Sequence, residues 1–212
     1  MAQIEFLLTG DAPGRTTVLL AHGAGAAMDT AFMSGIAGAL AAQGLRVARF
    51  EFAYMAARRT GGSKRPPPKV ELLCAEYLAA VEALACEGPL IIGGKSMGGR
   101  VASLVADSLH GEGRIAGLVC LGYPFHPTGK PEKLRTAHLA DLRTPTLICQ
   151  GTRDPFGTQA EVGTYALSPA ITLGWFEDGD HDLSPRKGVT GLTQTDHLNR
   201  AAAEIARWSS QL

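Results

Sequence analysis

The sequence predicts an α/β protein of one domain, residues 1–212, built on an open, mostly parallel sheet with helices on both faces. Three observations carry that prediction. Short apolar runs alternate with longer segments of helical spacing, the order that a parallel sheet with crossover helices imposes. The runs are apolar at consecutive positions, as strands buried on both faces are. The chain, at 212 residues, is long enough to bury one sizeable core.

The runs are TTVLLAHG (16–23), LRVARFEF (45–52), GPLIIGG (88–94), IAGLVCLG (115–122), TPTLICQG (144–151) and AITLGWFE (170–177). A further strand, IEFLLTG (4–10), suits a sheet edge. Helical spacing covers Asp29–Gln43, Val70–Cys86, Gly98–His110, Thr158–Leu167 and Thr193–Gln211. In the second of these, Leu72, Leu73, Tyr77, Ala80, Val81 and Leu84 form one apolar stripe. Asp29 and Thr193 are the expected N-caps of the first and last helices. RRTGGSKRPPPK, Arg58 to Lys69, carries five basic residues and no acid. Its prolines and glycines make it an exposed excursion between a strand and the next helix.

The totals exclude several classes. Net charge is zero and the pI is near 7, so nothing global favours nucleic acid or a membrane surface. The N-terminus lacks a basic region followed by a long apolar run, and no apolar stretch reaches the length of a membrane span. Cys74, Cys86, Cys120 and Cys149 form no CxxC and sit in apolar surroundings. They read as buried, reduced thiols of a cytoplasmic protein, with no metal site and no cofactor. Composition does not set the oligomeric state.

One stretch, GGKSMGG from Gly93 to Gly99, admits two chemistries. A phosphate-binding loop needs a glycine five residues before its Gly-Lys pair, and that position is Pro89. The alternative is G-x-S-x-G over Gly94–Gly98, directly after an apolar run and directly before a helical pattern, which is the strand–turn–helix setting of a nucleophile elbow. Glycines two residues either side of Ser96 let strand and helix approach closely. The helix start would aim backbone N–H groups at a developing negative charge.

A serine hydroxyl needs a base, and the base needs an orienting acid. Asp154, in the turn after TPTLICQG, and His181, in the turn after AITLGWFE, follow Ser96 in the order serine, acid, histidine. All three fall at the carboxyl edge of the sheet, where open parallel sheets bind ligands. Asp178, Asp180 and Asp182 share the turn of His181, too near it in sequence to reach its Nδ1, and Asp180 and Asp182 are expected to shape or solvate that turn. Of the other histidines, His22 is expected to brace the oxyanion loop, His110 to end a helix, and His138 and His197 to lie at the surface. Met97 N–H and Ala24 N–H are the expected oxyanion donors. Lys95, Phe125, His126 and Phe156 are the candidate pocket residues.

LLAHGAGA, RFEF, GGKSMGGRVAS, LGYPFHPTGKPEKLR, PTLICQGTRDPFG and DGDHDLSPRK together resemble the α/β-hydrolase superfamily. More narrowly they resemble the small bacterial hydrolases grouped with KANSL3/Tex30-type proteins, related to the dienelactone hydrolases. The resemblance implies an α/β-hydrolase fold and a Ser96–Asp154–His181 triad. Dienelactone hydrolases use a cysteine nucleophile, and position 96 is serine, so their lactone chemistry is not carried over. After the fourth run and the Gly122–Pro127 region that ends it, only Thr128–Arg143 intervenes before the run at 144–151, too little for a large lid. The expected function is therefore hydrolysis of small or surface-presented esters or thioesters. The basic segment and Lys95 would suit an anionic substrate such as a coenzyme A thioester. A non-catalytic binding or scaffold protein on the same fold is the alternative. Nucleic-acid binding is disfavoured because the basic segment has no interleaved aromatics.

Overall fold

The computed structural model describes residues 4–10 and 14–212; residues 1–3 and 11–13, part of the N-terminal stretch weighed above as a leader, lie outside the described residues. Among the described residues seven strands form one sheet: β1 (Phe6–Thr9), β2 (Thr17–Ala21), β3 (Arg46–Phe50), β4 (Leu90–Lys95), β5 (Gly117–Leu121), β6 (Thr146–Gly151) and β7 (Ile171–Phe176). Their order across the sheet is β1-β3-β2-β4-β5-β6-β7. β1 pairs antiparallel with β3, and the other neighbours are parallel.

Strand β3 lies on one side of β2 and β4 on the other, so the chain reverses its direction of progress at β2. The carboxyl ends of β2 and β4 are neighbours, with Ala21 opposite Gly94. Such a switch point opens a crevice outside the strand ends.

Alternating residues of the central strands feed two cores. Leu19, Ile92, Leu118 and Ile148 face one cluster, covered by α3 (Val70–Leu84) and α4 (Met97–Gly111). Val18, Leu20, Ile91, Val119 and Leu147 face the other, covered by α1 (Ala31–Ala42) and α7 (Gln194–Ser209). This is why the strands read as continuous apolar runs. β7 departs from that pattern and is only half-buried, because it is an edge strand with a neighbour on one side.

Several expected boundaries move. Thr30, not Asp29, caps α1 by accepting from Met33 N–H, while the Asp29 carboxylate binds Arg59 at 2.9 Å. Thr193 caps α7 as expected, in a reciprocal box with Asp196. Leu72 leaves the expected stripe and is 58% exposed. The helix expected over Thr158–Leu167 is a single turn, α5 (Gln159–Val162), stopped at Gly163 and followed by the Ser168-Pro169 turn into β7. The basic excursion begins as a helix, α2 (Ala53–Arg59), so Arg58 and Arg59 occupy its last turn, where cations favour the helix dipole. A further turn of helix, α6 (Lys187–Thr190), follows the His181 loop. Residues 128–143 hold only a short 3₁₀ turn, Ala137–Leu139, and no lid.

Candidate active site

Ser96 sits between the last residue of β4 and the first of α4, with φ 51° and ψ −113°. A non-glycine residue in that region is strained and must be held there by its surroundings. Two contacts do so. Ser96 N–H donates to Leu121 O at 3.0 Å, and Arg100 N–H donates to Ser96 O at 3.0 Å. The flanking glycines are required by closeness rather than by torsion. A Cβ on Gly94 would lie 2.5 Å from Ala21 O, and one on Gly98 would lie 2.7 Å from His22 O.

The switch point puts the His22-Gly23-Ala24 turn beside this elbow. Phe52 N–H donates to His22 Nε2 at 3.2 Å, which places the ring proton on Nδ1, and Nδ1 donates to Gly23 O at 2.6 Å. That second bond fixes the Gly23–Ala24 peptide, whose N–H is the expected oxyanion donor. Burial holds the His22 pKa below its ordinary value and so keeps the ring neutral. Tyr54, on α2, donates its hydroxyl to Ala24 O at 2.8 Å. Burial lifts that hydroxyl to about 12. Among the described residues, neither Ala24 N nor Met97 N donates to an acceptor within the chain.

Asp154 and His181 arrive from the turns after β6 and β7. His181 Nε2 lies 2.8 Å from Ser96 Oγ, and His181 Nδ1 lies 2.8 Å from Asp154 Oδ2. Asp154 is fully buried. Its Oδ1 accepts from Phe156 N–H at 2.8 Å and its Oδ2 also accepts from Gln150 Nε2 at 2.9 Å. With the carboxylate on Nδ1–H, Nε2 is free to accept the serine proton. The structure thus brings Ser96, His181 and Asp154 into one hydrogen-bonded chain from three separate strand ends.

The loop that carries His181 contains two left-handed residues, Asp178 (φ 53°) and Leu183 (φ 55°). It is pinned from several sides. The Arg186 side chain and main chain grip the Asp178 carboxylate and hold it down at about 2. Arg153 donates to Asp178 O and Ser184 O, at 2.7 and 2.9 Å. Asp180 accepts from Asp182 N–H and Ser184 N–H, shaping the turn as expected.

The four candidate pocket residues separate. Phe156 lies at the site, its ring 4.3 Å from that of His181. Phe125 is fully buried between Tyr123 and Tyr165, so it belongs to the core and not to a pocket surface. His126 is 2% exposed and receives Phe156 behind the site, donating its own N–H to Phe156 O at 3.2 Å. Lys95 is also sealed; its ammonium contacts His181 O and Asp182 rather than open space. His138 and His197 are not surface residues. His138 is half-buried against Ser103, and His197 is 1% exposed with Nδ1 2.8 Å from Leu183 O.

Gln150 and Tyr54 escaped the sequence reading. For Gln150 the signal was a lone amide at the end of an otherwise apolar strand, TLICQG. A buried side-chain amide there demands partners, and the turn that follows it supplies one in Asp154. Among the described residues no cluster of His, Cys, Asp and Glu could hold a metal, and no helix is long and apolar enough to cross a membrane.

Comparison with known proteins agrees with this architecture. The dienelactone hydrolase of Anabaena variabilis is 19% identical, with 98% of this chain and 91% of that chain covered at a TM-score of 0.71. A serine hydrolase without lid from Xanthomonas campestris is 18% identical, over 97% and 89% of the two chains, with a TM-score of 0.70. Est1E from Butyrivibrio proteoclasticus is 13% identical, over 99% and 95%, with a TM-score of 0.71. At these identities the likeness is one of fold. Residues 14–210 match the model of the family described as an alpha/beta hydrolase domain, and the chain belongs to that family.

Proposed function

We propose that this chain is a serine hydrolase of carboxylesterase or thioesterase type. The observation that supports it most is the unbroken relay from Ser96 Oγ through His181 to Asp154, 2.8 Å at each step. In the proposed reaction Ser96 Oγ attacks the acyl carbon while His181 Nε2 takes its proton. Asp154 holds Nδ1–H and stabilises the imidazolium. Ala24 N–H and Met97 N–H receive the oxyanion, each such donor being worth roughly 3 kcal/mol of transition-state stabilisation. His181 returns its proton to the leaving group. Water then enters by the same route and releases the acid.

Two features shape the substrate class. The site has no lid, and the loop at Ala24 is exposed, which suits small or surface-presented esters over chains enclosed on all sides. Lys95 is spent inside the protein, so it supplies no anion contact. Of the basic segment, Arg58 holds its guanidinium 5.6 Å from the ring of Tyr54, whose hydroxyl binds Ala24 O. Any preference for an anionic leaving group would arise there. Serine in place of cysteine at the nucleophile keeps lactone chemistry out of the proposal, and the motif set supports reading the chain as a relative of the KANSL3/Tex30-type subgroup. Four unpaired thiols suit a reducing, cytoplasmic setting.

The test is intact-mass analysis after exposure to a fluorophosphonate, on the wild type, Ser96→Ala and His181→Ala, followed by a panel of p-nitrophenyl esters and acyl thioesters. One adduct on the wild type and none on either variant is expected. A wild type that neither labels nor turns over any ester would sink the reading in favour of a binding protein.

A further inference from the structure

Lys95 is the residue whose position the relay leaves unexplained. It ends β4 immediately before the nucleophile, in the elbow's variable place, where substrate contact would be the ordinary use of a cation. Its side chain is only 8% exposed. Its ammonium donates to His181 O at 2.8 Å, lies 3.2 Å from Asp182 Oδ1, and stands 5.3 Å from the centre of the Phe32 ring on α1. Two acceptors and an aromatic face use up its three protons, so no substrate anion can reach it without breaking one of them.

A buried ammonium is costly unless something is gained by pairing it. Here the carboxylate partner, Asp182, is 59% exposed on its side chain, while the carbonyl partner belongs to the candidate base. The room for this contact is built in. Gly122, at the end of β5 with φ 65°, stands beside both groups, and a Cβ there would lie 2.6 Å from His181 O and 3.2 Å from Lys95 Nζ. Any other residue at 122 would push the lysine and the histidine loop apart.

We propose that Lys95 is a positioning residue: its ammonium locks the main chain of His181 to the strand that carries Ser96. This rests on the serine-hydrolase reading. The lock spans 86 residues of sequence and joins β4 to the His181 loop, beside the Ser96–His181 hydrogen bond.

The experiment compares wild type, Lys95→Met and Lys95→Arg by kcat and KM on p-nitrophenyl acetate, by thermal unfolding, and by the NMR resonance of the His181 Nδ1–H proton, assigned with His181→Gln. For Lys95→Met the expected loss in kcat is about ten- to a hundredfold with KM within about twofold, since small misplacement of a base costs that much. The His181 Nδ1–H proton, held against Asp154 Oδ2 at 2.8 Å in the wild type, should broaden by solvent exchange in Lys95→Met as the loop loosens. Lys95→Arg should restore most of kcat and sharpen that resonance. Should Lys95→Met not fold, Lys95→Gln carries the same comparison. A wild-type resonance in the neutral variant overturns the proposal, as does a kcat loss that merely tracks a lowered melting temperature. If the wild type shows no labelling and no esterase activity, the hydrolase reading fails by itself, and the resonance still decides whether the lysine positions His181.

Discussion

Replacing Gln150 by leucine would remove the support behind Asp154 while nearly preserving volume. The amide is fully buried. Its Oε1 accepts from Tyr123 N–H at 2.7 Å, and its Nε2 donates to Asp154 Oδ2 at 2.9 Å and to the carbonyls of Tyr123 and Gly157, each at 3.2 Å. In Gln150→Leu the buried Tyr123 N–H loses its acceptor, which costs about 1–3 kcal/mol, and the bond to a carboxylate is worth about 1.5–3 kcal/mol. Leucine recovers part of this through apolar burial. The net loss should be about 3 kcal/mol, a large share of the roughly 5–15 kcal/mol that a domain possesses. The variant should fold, with a clearly lower urea midpoint. Asp154 keeps Phe156 N–H and His181 but loses its third anchor, so kcat should fall about tenfold with KM nearly unchanged. Gln150→Glu separates shape from charge. It sets a second carboxylate against Asp154, and two such neighbours cannot both ionise cheaply. Its destabilisation should therefore be greatest at neutral pH and ease as the pH falls toward 5. Urea denaturation followed by circular dichroism, with esterase kinetics on the same samples, reads both effects. A Gln150→Leu protein within about 1 kcal/mol of wild type and with wild-type kcat would refute the argument that this amide organises the acid.

Two further outcomes follow from the same geometry. Ser96→Gly and Ser96→Ala should both abolish probe labelling, but the glycine variant should be the more stable by about 1 kcal/mol, because only glycine occupies φ 51°, ψ −113° without strain; equal urea midpoints would contradict the strained elbow. Asp178, held at about 2 by Arg186, is depressed relative to the unfolded chain, so its contribution is complete above the ordinary aspartate value of 3.8 and is lost as the pH falls toward 2. The difference in melting temperature between wild type and Asp178→Asn should accordingly shrink between pH 4 and 2, and a constant difference across that window would count against the Asp178–Arg186 brace.

The strands were legible because five of the six apolar runs become central strands, clothed on both faces, as continuous apolar runs of that length imply. The sixth, β7, reads alike yet lies at an edge, since local sequence does not report how many neighbours a strand has. Ser96, Asp154 and His181 were legible for a different reason. A G-x-S-x-G turn, an aspartate and a histidine each follow a strand, and topology alone sends strand ends to one edge. What the sequence hid were the side chains whose partners lie far along the chain. Lys95 reads as an exposed cation until the histidine loop closes over it. His197 sits in a polar context, TDHLN, but helical phase turns it inward beneath Leu183. Phe125 follows a strand in the same way as the site residues and still turns into the core, because Gly157 leaves space for its ring. Helix α2 was masked by the basic, glycine-rich segment that ends it.

The braces also bear on why so short a chain can hold a relay without a cap. In enclosed sites, packing from above helps to fix the base. Here the His181 side chain is 21% exposed, and order must come from below. Each relay member has such a support: Leu121 O for Ser96, Gln150 and Phe156 N–H for Asp154, Lys95 and His197 for the histidine loop. Beside the apolar anchor of Leu183 in the core and the Phe156 ring on His181, these supports are hydrogen bonds and a buried cation, and that choice has a physical reason. Apolar packing fixes a loop's distance from the sheet but is tolerant of small rotations, whereas a carbonyl held by an ammonium or an imidazole N–H is fixed in direction as well. Direction is what a proton relay needs. It follows that apolar substitutions around this site, Phe156→Leu for example, should be tolerated better than polar ones beneath it.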